Sequence, residues 1–175
     1  MERKDVEPAL VCVTKTQEQA QRIVDRLREA GFSTKDISIL LSASKEMLNI
    51  EGQQETKREK GAAAGSGMGA IAGGLTGLLL ALTIFDVPEV GVLIALGPIV
   101  VHIADAVATA AGSAIGAIAG ALVGIRLPDH SAKFYEKAVQ EGNVLISVHV
   151  DDPARRAIAK QIFEANGGEH ISAQK

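Results

Sequence analysis

The 175-residue sequence contains no tryptophan, and aromatic residues of all kinds make up only 3% of it. Proteins that bind nucleic acids through base stacking need aromatic side chains, and binding to the phosphates needs a surplus of Lys and Arg. This chain has few aromatic residues, and its formal net charge is −3. The composition therefore predicts no nucleic-acid partner.

Cysteine is represented by Cys12 alone. A single thiol forms no internal disulfide and supplies no C-x-x-C metal or redox pair. Cys12 lies in the strand-like run "ALVCVT", so we expect a small core side chain. The first residues also lack the apolar stretch of a secretory signal, which predicts an N-terminus in the cytoplasm.

Lys and Arg are missing from residues 61–125, where Asp86, Glu89 and Asp105 are the only charged residues. Residues 1–60 hold eleven basic and eleven acidic residues, and residues 126–175 hold seven of each. This distribution predicts three segments with boundaries at 60/61 and 125/126, in which two charge-balanced flanks enclose an apolar insert.

Each flank has the pattern of a β-α-β unit. In the first, the strands "ALVCVT" and "DISILLS" flank a helix that starts at a capping box formed by Thr16 and Gln19. In the last, "NVLISVHV" and a short strand around "HISA" flank a helix that starts at Asp152-Pro153. A covering helix over residues 131–141, with Phe134, Ala138 and Tyr135 turned inward, precedes the second unit.

The two units resemble each other when they are superposed so that Val11 aligns with Ile146 and Ile23 aligns with Ile158. Neither unit alone buries its helix face and its sheet face. We therefore predict an α+β fold, a ferredoxin-like β-α-β-β-α-β domain that is split by an inserted glycine-zipper α-helical hairpin.

The insert opens with "GAAAGSGMGAIAGGLTG", in which residues 65–70 fit the G-x-G-x-x-A pattern of a dinucleotide-binding turn. That turn requires a buried strand before its first glycine, and here the preceding residues are "GQQETKREK". We therefore predict no nucleotide cofactor.

Glycine also recurs every fourth residue in two ladders, and this pattern is typical of closely packed helices. The predicted helix-packing positions are Gly61, Gly65, Gly69, Gly73 and Gly77 in the first ladder and Gly112, Gly116, Gly120 and Gly124 in the second.

Length and flanking charge favour a membrane hairpin. Residues 61–85 and 106–125 are uncharged stretches of 25 and 20 residues, and about 20 helical residues cross a hydrocarbon core of about 30 Å. Basic residues lie before the first stretch and after the second, as the positive-inside rule requires. We therefore predict a protein of the bacterial cytoplasmic membrane, with the lipid bilayer as partner and both termini cytoplasmic. The alternative is a soluble cytoplasmic homo-oligomer in which the zipper helices pack inside the assembly.

His102 and Asp105 lie three residues apart in the connection between the stretches. Two side chains are an incomplete metal site, because a structural zinc takes four ligands. We predict either a solvated polar turn at the far membrane interface or a polar contact between subunits at these residues, and no catalytic, cofactor-binding or metal-binding residues elsewhere.

The order of these parts resembles the bacterial glycine-zipper general stress proteins, also called low-temperature-induced or heat-induced stress proteins. The resemblance runs from "VCVTKTQEQAQRIVDRLREAGFSTKDISIL" through both ladders to "GIRLPDHSAKFYEKAVQEGNVLISVHV". It implies stress-linked expression and a membrane hairpin, and it supplies no reaction and no catalytic residues. The expected function is a non-enzymatic, homo-oligomeric stress protein anchored by the hairpin. The alternative is a soluble ligand-sensing or scaffold module.

Overall fold

The computed structural model of the protein describes residues 8–43, 83–87, 91–109 and 116–173. These residues form an α+β fold with one antiparallel sheet and helices on both faces, which confirms the predicted class. The strands are β1 (Ala9–Thr14), β2 (Ile37–Ala43), β3 (Thr83–Val87), β4 (Gly91–Leu96), β5 (Val144–His149) and β6 (Glu169–Ala173). The helices are α1 (Gln17–Glu29), α2 (Ile99–Thr109), α3 (Ala117–Gly124), α4 (Asp129–Gln140) and α5 (Pro153–Ala165).

Helix α1 begins where the sequence predicts it. The Thr16 side chain accepts from the backbone N–H of Gln19, and the Gln19 side chain accepts from the backbone N–H of Thr16. This reciprocal bonding satisfies two N–H groups that have no partner inside the helix. The buried face of α1 carries Ala20, Ile23, Val24 and Leu27. The capping-box prediction is confirmed.

Helix α5 has an equivalent start and end. Asp152 caps it by accepting from the backbone N–H of Ala154, and Pro153 occupies its first turn. Asp152 is thus the counterpart of Thr16, the cap of α1. The helix ends match in the same register, because Gly167 follows α5 with φ of +84° and Gly31 follows α1 with φ of +83°.

The alignment of the two units predicted from the sequence is therefore wrong by one position. It pairs Ile23, which is fully buried, with Ile158, whose exposed fraction is 45%. The register set by the caps pairs Ile23 with Ala159 and Leu27 with Phe163, and all four of these side chains are buried. Bulky Ile158 resembled a core residue in the sequence, whereas small Ala159 occupies the core position.

The strand order across the sheet is β3-β4-β2-β5-β1-β6, and every neighbouring pair is antiparallel. Strand β5 lies between β1 and β2, so the two ends of the chain interleave in one sheet. Leu10, Cys12 and Ile146 face α1 and α5, whereas Val11, Val13 and Leu145 face the other helices. The sheet thus has a hydrophobic core on each side.

The middle of the chain differs from the predicted helical hairpin. Residues 83–87 form β3, which begins inside the first predicted membrane stretch. It pairs with β4 so that Thr83 lies opposite Ala95 and Val87 lies opposite Gly91. Residues 106–125 form no single helix, because Gly116 has an extended backbone with φ of −63° and ψ of 162° at the start of α3. Helices α2 and α3 lie on the sheet, where Ile99, Ile103 and Ile118 are buried.

The predicted location in the cytoplasmic membrane is contradicted. Within the described ranges no helix has the length and apolar character needed to cross a bilayer, and the longest helices have 13 residues. About 20 residues are needed. The two uncharged stretches are long in sequence, but they include residues of strand β3 and of two separate short helices, α2 and α3.

Candidate functional site

Six of the nine ladder positions lie outside the described residues: Gly61, Gly65, Gly69, Gly73, Gly77 and Gly112. The pairing of one ladder with the other therefore stays a prediction. The described positions are Gly116, Gly120 and Gly124, and each of them faces a neighbouring helix.

Gly120 and Gly124 let α3 lie close to α2. A β-carbon added to Gly120 would lie 3.5 Å from the β-carbon of Ala106, and one added to Gly124 would lie 3.6 Å from Nδ1 of His102. Both distances are ordinary van der Waals contacts, so the missing side chains allow close packing without leaving a void. These glycines pack against α2 of the same chain.

Gly116 has a different neighbour. It caps the start of α3 with φ of −63° and ψ of 162°, and a β-carbon added there would overlap the carboxylate of Glu136 on α4. A carboxylate at a helix N-terminus is stabilised by the helix dipole and by the free N–H groups there. Gly116 thus gives Glu136 access to the start of α3.

His102 and Asp105 both lie on α2, where His102 is half-buried beside Gly124 and Asp105 is exposed. The same helix exposes 63% of Val101. Over the described part of the chain, no three His, Cys, Asp or Glu side chains are placed to hold a metal ion. The structure therefore brings the predicted pair to a surface that is otherwise apolar.

A second site lies at the other end of the sheet, where α4, the end of β1 and the start of β6 surround a cleft of about 300 Å³. The cleft is lined by Val13, Thr14, Lys15, Phe134, Lys137, Ala138, Glu141, Asn143, Glu169 and His170. Nζ of Lys15 lies 2.8 Å from Oε1 of Glu169, and Nζ of Lys137 lies 3.8 Å from Oε1 of Glu141. Two cations and two carboxylates therefore border the same opening.

The wall of this cleft is aromatic. The rings of Phe134 and His170 lie 4.2 Å apart between centroids with an angle of 50° between their planes. Phe134 is 40% exposed, so the predicted inward orientation of this side chain is wrong. The inward orientation predicted for Tyr135 and Ala138 is confirmed, because both are buried on the face of α4 that packs on the sheet.

Tyr135 fixes the start of β6. Its hydroxyl donates to the backbone carbonyl of His170, a residue with φ of +51°. A non-glycine residue in this conformation is strained, and the pairing of β6 with β1 is irregular between Val11 and Val13. Burial raises the pKa of the Tyr135 hydroxyl above its ordinary range, because the low-polarity surroundings disfavour the phenolate.

Cys12 lies in β1, and its side chain is fully buried. Burial raises the pKa of its thiol, since the low-polarity surroundings disfavour the thiolate. The side chain packs with Leu10 and Ile146 in the core under α1 and α5. The prediction that Cys12 is a core residue is confirmed.

Comparison with known proteins connects this fold to stress. Residues 9–94 match the Heat induced stress protein YflT domain. This part of the chain belongs to that family. The match runs from the first residue of β1 into β4, so the matched stretch contains β1, α1, β2 and β3. The resemblance to heat-induced stress proteins is thus confirmed. No curated protein and no solved structure matches the chain.

Proposed function

We propose that the protein is a non-enzymatic scaffold of the stress response that assembles with itself through the outer surface of α2. The YflT domain supports the link to stress. The exposure of Val101 carries the proposal of assembly, because a large apolar side chain on an apolar helix gains free energy when a partner covers it.

The other surfaces of the sheet leave less room for self-association. An antiparallel sheet can have one face exposed to solvent. Here α1 and α5 cover one face, and α2, α3 and α4 pack on the other. Edge strand β6 begins with charged Glu169 and the strained His170, and such features disfavour edge-to-edge pairing. Among the described residues, the outer surface of the helices and the edge strand β3, which exposes Ile84, remain for a second copy.

His102 and Asp105 suit a two-fold contact. In a symmetric dimer, a residue i that contacts j of the partner is matched by j contacting i. Two α2 helices that pack antiparallel would place each His102 near the partner's Asp105, with Val101 and the alanines of α2 around them. The contact would then be self-complementary in polarity.

The experiment is a mass measurement by sedimentation velocity on the full chain. We expect the unmodified protein to sediment as an oligomer and Val101→Glu to sediment as a monomer. The control is Ile158→Glu, which places the same charge at the exposed Ile158 of α5 and should leave the mass unchanged. A monomeric unmodified protein, or equal loss of mass in both variants, would disprove this interface.

A charge exchange tests the polar pair. Asp105→His alone should weaken the oligomer, because it places histidines at both positions of the contact. Exchanging the pair, His102→Asp with Asp105→His, should restore the mass. If the double variant is as weak as the single one, the two residues do not meet across the interface.

We also propose that the units β1-α1-β2 and β5-α5-β6 form one ferredoxin-like domain. The support is the order β2-β5-β1-β6 within the sheet and the common register of the two helix caps, Thr16 and Asp152, with the glycines that follow each helix. The predicted boundary at 60/61 lies outside the described residues, and that at 125/126 directly follows the end of α3.

A further inference from the structure

The charges around the cleft between α4, β1 and β6 are balanced and accessible. Lys15 with Glu169 and Lys137 with Glu141 form two ion pairs at its opening, and each of these side chains is at least 45% exposed. A ligand with one net charge would meet a repelling group beside each attracting one. A ligand that carries both charges can satisfy both kinds of group.

The aromatic wall adds a preference for the cation of such a ligand. The exposed ring of Phe134 lines the cleft together with His170, and an aromatic face attracts an ammonium group within about 6 Å of its centroid. Glu169 precedes His170 in β6, and its carboxylate also lines the cleft. An ammonium group bound here would have an aromatic face and a carboxylate as neighbours.

The size of the cleft limits the ligand. Its volume of about 300 Å³ is at the lower end of the range of about 300–1,000 Å³ for small-molecule sites. A molecule the size of an amino acid fits this space. The hydrogen bond from Tyr135 holds the strained backbone of His170 in place. This wall of the cleft therefore has a fixed position in the folded protein.

We propose that this cleft binds a small zwitterion that joins an ammonium group to a carboxylate through a short carbon chain. The ammonium group lies against Phe134 and Glu169, and the ligand's carboxylate lies beside Lys137. The site is separate from the outer surface of α2, so the proposal does not depend on self-assembly.

The test uses ligand-observed saturation-transfer NMR on the full chain with trimethylglycine as the probe. Two comparison molecules separate the charges: choline has the cation without the carboxylate, and 3,3-dimethylbutanoate has the carboxylate with an uncharged carbon in place of nitrogen. We expect trimethylglycine to bind at least about tenfold more tightly than either, a difference of about 1.4 kcal/mol. Equal binding of choline or of dimethylbutanoate would overturn the proposal, as would no saturable signal up to about 100 mM, which is a hundredfold excess over a millimolar Kd.

Two matched variants locate the site. Lys137→Met removes a cation of the cleft, and Lys160→Met removes the cation of an equivalent pair on α5, where Nζ of Lys160 also lies 3.8 Å from Oε1 of Glu164. Lys137→Met should weaken binding of trimethylglycine about tenfold, whereas Lys160→Met should have no effect. Phe134→Leu should also weaken binding, because leucine keeps the apolar surface without the aromatic face. Equal losses in Lys137→Met and Lys160→Met, or unchanged binding in Phe134→Leu, would place the ligand elsewhere.

Discussion

Gly97 and Gly142 share a left-handed backbone, with φ of +80° and +92°, but their surroundings differ. A β-carbon added to Gly142 would meet no atom within 4 Å, whereas one added to Gly97 would overlap the backbone carbonyl of Ile37. Gly97 lies at the turn from β4 into α2, where the hydroxyl of Ser38 also accepts from the N–H of Ile99. This turn therefore lies directly on β2.

Alanine at these two positions separates backbone strain from steric overlap. Gly142→Ala should lower the free energy of unfolding by about 1–2 kcal/mol, the cost of a left-handed conformation for a residue with a β-carbon. Gly97→Ala should cost clearly more, because a backbone carbonyl in the sheet cannot move aside as a flexible side chain does. Chemical denaturation of both variants measures the difference. Equal losses would mean that the turn can shift away from β2.

At the scale of elements, the close contact between α2 and α3 depends on the size of residue 120. Gly120→Ala should raise the free energy of unfolding by up to about 1 kcal/mol, because alanine favours a helix over glycine and its β-carbon would make an ordinary contact with Ala106 at 3.5 Å. Gly120→Leu should destabilise the fold by about 1–3 kcal/mol, the typical cost of overpacking. Thermal unfolding compares the two variants. If leucine is tolerated as well as alanine, the glycine is not needed for this helix pair.

The elements of the two flanks could be predicted because their signals are local. A capping threonine or aspartate marks each helix start, and a glycine follows each helix end. The strands β3 and β4 were missed because a short apolar run fits a buried strand as well as a helix. The β-branched Thr83, Ile84 and Val87, followed by Pro88, are typical of a strand and a turn. The four-residue period of the nearby glycines, however, favours a helix.

The cleft could not be found from local patterns, since Lys15, Lys137 and Glu169 are far apart in the sequence. They come together because β5 brings the last third of the chain between β1 and β2, so that β6 and α4 meet the end of β1. For His170 the sequence predicts only a short strand around "HISA". Its position beside Phe134 follows only from the fold.

At the scale of the whole molecule, the interleaving of the chain ends determines what can fold alone. The stretch that matches the YflT domain ends in β4, yet its strands β1 and β2 are not neighbours in the sheet. Strand β5, whose residues are all buried, pairs with both of them. Without residues 144–149, both strands lose the hydrogen-bonding partner between them, and the cores on both faces lose Leu145 and Ile146.

We therefore expect a chain that ends at residue 125 to have no cooperative thermal transition, although it contains the whole matched stretch. The control is a chain that ends at residue 168, which removes the edge strand β6 and leaves β5 in place. It should unfold cooperatively at a lower temperature than the full chain, because only one partner of β1 is lost. Differential scanning calorimetry measures both. A sharp transition in the shorter chain would show that β1 and β2 can join without β5, and that the last third of the protein is an addition to a fold that is already complete.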